Sequence, residues 1–245
     1  KNTIVKLFNE NKFSKISKNS KVIINEFETD VDICKLVVAS EINLKNYFKA
    51  EQYLKKIVII HNTDELNYLY GNILKIQNKF YDAIDAYKKA ILLNKNFSEA
   101  YNNLANTQKK IGDNQNAMYN YNKAIKSDSS NLGAHFNLAN LYRSEKNYEK
   151  AINYYKKVLE LNPQFIESIN NIGTIHLILG NFEDGLKYFK ESIEKDKFYS
   201  ESYYNYVSAK KINKDDKIFL KLKNLIEEEK FPQAQNFKMY YSLSK

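Results

Sequence analysis

The chain has 245 residues, 43% of them hydrophobic, which is enough for a continuous buried core and too much for a disordered polyelectrolyte. Its formal charge of +9 is almost all lysine, spread along the chain with Arg143 the one arginine, a pattern that argues against nucleic-acid binding. No apolar stretch approaches the roughly 20 residues that span a bilayer, and the one cysteine, Cys34, excludes an intramolecular disulfide framework, suits a reducing, cytoplasmic setting and reads as a buried packing residue.

In chain order, residues 1–30 contain "NENKFSKISKNSKVI", which reads as the second helix of a partial, degenerate unit. Residues 31–63 read as a fuller degenerate unit, with Ala50 as its small second-half residue. Residues 64–97, 98–131, 132–165 and 166–199 then align without a gap at a period of 34. Position 8 of this frame is always small (Gly71, Ala105, Ala139, Gly173), and so is position 20 (Ala83, Ala117, Ala151, Gly185). Position 24 is always aromatic (Tyr87, Tyr121, Tyr155, Phe189), while position 27 holds Ala90, Ala124, Val158 and Ser192. Each unit predicts two helices, the first with an apolar stripe such as Tyr101, Leu104 and Ala105, the second with one such as Ala151, Tyr155, Val158 and Leu159. Position 15, Asn78, Gly112, Lys146 or Gly180, mostly suits the left-handed close of a helix. Residues 200–231 predict a first helix over 200–213 and a shifted partner marked by Ile218, Phe219, Leu222, Leu225 and Ile226. Residues 232–245 start a further helix in which the sequence stops, the pattern of a fragment.

Catalytic and metal signatures are missing. There is no G-x-x-x-x-G-K-[ST], G-x-S-x-G, H-E-x-x-H or paired C-x-x-C. His61, His135 and His176 fall at unrelated positions and read as packing or surface residues, and "EEE" at 227–229 reads as a solvated face. No catalytic residue, cofactor or metal is expected.

A 34-residue helical pair with small residues at 8, 20 and 27, an aromatic at 24 and Pro163 at 32 resembles the tetratricopeptide repeat (TPR). The unit from Leu132 to Phe165, with "NLANLY" and "NYEKAINYYKKVLELNP", carries the resemblance best, although Asn67, Tyr101, His135 and Ile169 stand where the family has a tryptophan. The resemblance implies an all-α, right-handed superhelical solenoid of antiparallel helix pairs. In the family, positions 2, 5, 6, 9, 12 and 13 of the first helix line the inner, concave wall.

Those positions hold the candidate site. Position 6 is Asn103, Asn137, Asn171 and Asn205, and position 9 is Asn72, Asn106 and Asn140. An amide donates and accepts at once, matching a peptide backbone without demanding a particular side chain. This ladder is similar to the asparagine-lined groove of O-linked N-acetylglucosamine transferases, which holds substrate polypeptide, and Tyr68, Phe136 and Tyr204 at position 5 add contact area. Alternatively the amides bond neighbouring helices and recur through repeat duplication. Glu65, Glu99, Glu167 and Glu201 at position 2, and Lys75, Lys109, Arg143 and Lys211 at position 12, fit the helix dipole without any ligand. Position 5 lacks the lysine of the clamp with which some family members grip chaperone carboxyl termini, holding Tyr68, Asn102, Phe136, Asn170 and Tyr204 instead.

The expected function is a scaffold that binds a protein or extended peptide through its inner face. The stretch from Asp215 to Lys245 loosely resembles bacterial proteins that join such an array to a sulfotransferase. That resemblance implies the alternative of a substrate-recruiting region in a larger sulfotransferase or, less closely and from the asparagine ladder, an O-GlcNAc-transferase-like enzyme, with catalysis beyond residue 245.

Overall fold

Among the residues described by the computed structural model, 1–210 and 216–227, every regular element is a helix. The expected helix over 232–245, Lys211 and the close of the 200–213 helix lie outside those residues. Chain contacts divide the protein into two units, 1–134 and 135–245. The first holds α1 (Asn2–Asn9), α2 (Phe13–Glu26), α3 (Val31–Asn43), α4 (Tyr47–His61), α5 (Asp64–Ile76), α6 (Phe80–Leu93), α7 (Ser98–Lys110) and α8 (Asn114–Ser127). The second holds most of α9 (Leu132–Ser144), then α10 (Tyr148–Leu161), α11 (Ile166–Ile178), α12 (Phe182–Lys195), α13 (Ser200–Ala209) and α14 (Lys217–Glu227). None of these helices is long and apolar enough to cross a membrane.

Local chemistry sets the helix ends. Asp30, Thr63 and Asp113 cap α3, α5 and α8 by accepting from the backbone N–H three residues on, and Asn147 does so for α10. In the first unit, α1, α3, α5 and α7 are followed by a left-handed residue: Asn11, Lys45, Asn78 and Gly112 at φ of 55, 59, 60 and 83°. In the second, Lys146 and Gly180 follow α9 and α11 at 59 and 80°. Each is succeeded by an N–H that reaches back to a carbonyl in the last turn, as from Lys79 to Leu74 and from Asn181 to His176, both at 2.9 Å.

Packing explains the repeated columns. In the first unit Tyr87 is fully buried against Leu74, Ala83 and Leu104. A Cβ added at Gly71 would stand 2.6 Å from the Tyr87 ring, so position 8 is small because the aromatic of position 24 lies on it. In the second unit Ala139, Ala151, Tyr155, Ile172 and Ile175 form one cluster. A second joins Phe189, Ile193, Tyr203, Tyr206 and Val207 to Leu222 and Leu225 of α14, which buries the apolar face that departs from the repeat frame. Burial of each large side chain stabilises by roughly 1.5–3 kcal/mol. Where the family has tryptophan, Asn67 is buried and its amide donates to the Thr63 carbonyl at 2.7 Å and to Asn62 Oδ1 at 3.0 Å.

Candidate functional site

The position-9 amides of the first helices are each held by the aromatic of position 24 on the following second helix. In the first unit the Tyr87 hydroxyl donates to Asn72 Oδ1 at 2.8 Å and the Tyr121 hydroxyl to Asn106 Oδ1 at 2.7 Å. In the second unit Tyr155 donates to Asn140 Oδ1 at 2.6 Å. All three rings are fully buried. Burial holds the Tyr155 hydroxyl up at about 12 and raises those of Tyr87 and Tyr121 well above the ordinary phenol, so each remains a neutral donor near pH 7. A donor behind the amide selects its orientation: oxygen inward, NH₂ outward.

The position-6 amides bridge neighbouring first helices. Asn103 Nδ2 donates to Asn72 Oδ1 at 2.9 Å and to the Tyr68 hydroxyl at 3.0 Å, which engages both amide protons and leaves its oxygen for a ligand. In the second unit Asn171 Oδ1 accepts from Arg143 Nη1 at 2.7 Å. Asn205 donates instead to Asn170 Oδ1 at 3.1 Å, an oxygen that also accepts from Ser202. Asn137, like the other six ladder residues, is half-buried. The rungs therefore bond to neighbouring helices, as one reading of the sequence expects, while each keeps an exposed edge.

Tyr68, Phe136 and Tyr204 are half-buried too. The Tyr68 ring packs 4.9 Å from Phe97 and 6.0 Å from Tyr87; Phe136 repeats this at 4.9 Å from Phe165 and 5.9 Å from Tyr155. Tyr68 and Phe136 are thus each the outer edge of an aromatic cluster, with one side left for contact. Of the charged positions, Glu65 pairs with Lys35, whereas Arg143 bonds a neutral amide.

The remaining chemistry-bearing residues are structural in their surroundings. His61 Nε2 lies 2.7 Å from the Glu28 carbonyl, His135 packs 6.0 Å from Tyr154, and His176 stacks on Tyr188 at 5.4 Å. Among the described residues no group of three His, Cys, Asp or Glu is placed to hold a metal. Cys34 is buried, its thiol donates to the Phe27 carbonyl at 3.3 Å, and burial pushes it up to about 11.

The hydroxyls of the position-24 tyrosines are what sequence reasoning missed, having marked the column only as aromatic. A signal was present: Asn at position 9 accompanies Tyr at 24 in three units, and in the fourth Thr174 accompanies Phe189. Where the hydroxyl is lost, so is the amide it would orient.

Stacked helix pairs that turn a row of polar side chains outward from their first helices define a helical repeat scaffold. Residues 98–131, 133–165 and 166–197 match the tetratricopeptide repeat, and 71–112 match a further TPR repeat family, just over half of the chain together. The chain belongs to the tetratricopeptide repeat family. Among solved structures it is similar to MamA, at 26% identity and a TM-score of 0.63 over 68% of this chain and 91% of that one. The C-terminal part of a TPR protein from Cytophaga hutchinsonii superposes with a TM-score of 0.75 at 17% identity, over 97% of this chain and 98% of that one. YrrB, described as a TPR protein with an unusual peptide-binding site, shares the fold at 16% identity and a TM-score of 0.60, over 78% of this chain and 95% of that one. No curated protein sequence matches the chain.

Proposed function

We propose that the chain is a polypeptide-binding scaffold whose first helices hold an extended segment of a partner protein. The observation that carries this reading is the orientation of Asn72, Asn106 and Asn140, whose oxygens are engaged by buried tyrosines so that their N–H groups face outward. An extended backbone offers carbonyl oxygens to such donors, and Asn103 offers an oxygen to a backbone N–H. Tyr68 in the first unit, and Phe136 and Tyr204 in the second, supply flat apolar edges beside them. The reading does not require a catalytic domain. A sulfotransferase-recruiting role rests on the resemblance of residues 215–245 alone, most of which lie outside the described structure.

Asn137→Ala combined with Asn171→Ala tests the reading within the second unit. Calorimetry with an extended peptide selected on the protein should show at least about tenfold weaker binding, near 1.4 kcal/mol. Folding stability should fall by about 1.5–3 kcal/mol, the worth of the charge-assisted bond from Arg143 to Asn171, with the protein still folded. Unchanged binding by the folded double variant would overturn the reading.

A further inference from the structure

At the C-terminal ends of α5 and α7, within the first unit, Lys75, Asn78, Phe80, Asn106, Lys109 and Lys110 line a cleft of about 620 Å³. Lys75 is half-buried, and among the described residues no carboxylate lies within ion-pair reach of its ammonium. Its neighbour Lys79, by contrast, spends its charge on Glu51 at 2.6 Å. A cation drawn partly out of water without a counter-ion is costly, and burial accordingly pushes the Lys75 ammonium down. Asn106 faces the same cleft with its oxygen taken by Tyr121, so the edge it has left is a donor.

The helix ends do not supply the missing negative charge. In the last turns of α5 and α7 carbonyls already accept from backbone N–H groups, Leu74 from Lys79 and Gln108 from Asp113, both at 2.9 Å. The partial charge of about half a unit that each helix end carries is smaller than the full charges of Lys75 and Lys110. In the second unit the cation of the same repeat position, Arg143, likewise has no ion pair among the described residues and spends one N–H on Asn171.

We infer that this cleft takes the carboxylate of an aspartate or glutamate side chain on a bound extended polypeptide. Lys75 supplies the counter-charge and Asn106 Nδ2 a directed hydrogen bond, so the preferred partner segment is acidic. The inference rests on the polypeptide-binding reading above and narrows its partner by charge.

A random displayed-peptide library selected on the full chain tests both. Enrichment of Asp and Glu is expected, and an enriched acidic peptide should bind about tenfold tighter than its Asn/Gln twin, the scale of one desolvated charge contact. Lys75→Gln should abolish that preference. Asn106→Asp, which keeps an acceptor for Tyr121 while replacing the donor with a negative charge, should abolish it as well. Lys89→Gln, the same charge change at an exposed site on α6, should leave it intact. Peptides selected without acidic enrichment, or an equal loss in Lys89→Gln, would overturn the inference while leaving the polypeptide reading standing. Failure to select any peptide would overturn both.

Discussion

Tyr121 donates its hydroxyl proton to Asn106 Oδ1 across 2.7 Å, joining a wholly buried ring on α8 to a half-exposed amide on α7. The core of the repeat thereby sets the hydrogen-bonding sense of its surface. Tyr87 with Asn72, and Tyr155 with Asn140, repeat the relationship.

Removing the hydroxyl alone should separate packing from orientation. Tyr121→Phe keeps the ring in place and is expected to cost about 0.5–1.5 kcal/mol, the net worth of one hydrogen bond, in urea unfolding. Peptide binding should weaken as well, because Asn106 is then free to rotate. A variant with full stability and full binding would show that the bond is incidental.

The fourth repeat offers the converse test. Phe189→Tyr places a hydroxyl in a buried cluster where position 9 is Thr174, and an unsatisfied polar group there should cost about 1–3 kcal/mol. Adding Thr174→Asn should recover part of the loss, giving a coupling energy of at least about 0.5 kcal/mol in a double-mutant cycle. Strict additivity would mean that the two positions do not form the pair seen elsewhere.

Ala139 is fully buried in the cluster that holds Tyr155 and Ile172. Ala139→Leu should destabilise by roughly 1–3 kcal/mol through overpacking, measured by thermal or denaturant unfolding. A neutral result would place position 8 away from the packing surface.

Cys34 should be inert in the folded protein. With its thiol held up at about 11, the thiolate is roughly 10⁻³ of the population at pH 8, and burial excludes reagent besides. Alkylation by iodoacetamide should therefore proceed only at the rate of unfolding. Rapid labelling of folded protein would contradict this surrounding.

The repeat was legible because its columns touch: Gly71 is small where Tyr87 presses on it, and both recur at the same spacing. The left-handed closes were legible at Gly112 and Gly180, while Lys146 adopts φ of 59° against its own steric preference. The α1 helix was not, since Asn2–Asn9 carries none of the repeated small or aromatic residues. At the candidate site the sequence marked which residues share a face and left their bonds open. Asn103 and Asn205 occupy one column, yet the first bonds Asn72 and the second Asn170, because position 9 of the preceding unit is Asn in one case and Thr174 in the other. Amide orientation was hidden for a similar reason: the deciding hydroxyl lies 15 residues away on another helix.

The most direct measurement is the set of asparagine side-chain NH₂ resonances in a ¹⁵N-labelled sample, followed while a selected extended peptide is added. The account predicts shifts at Asn72, Asn103 and Asn106 in the first unit, at Asn137, Asn140, Asn171 and Asn205 in the second, or in both, with Asn153 on the exposed face of α10 unmoved. Shifts confined to Asn153 and other second-helix residues, with the first-helix amides silent at saturation, would contradict it.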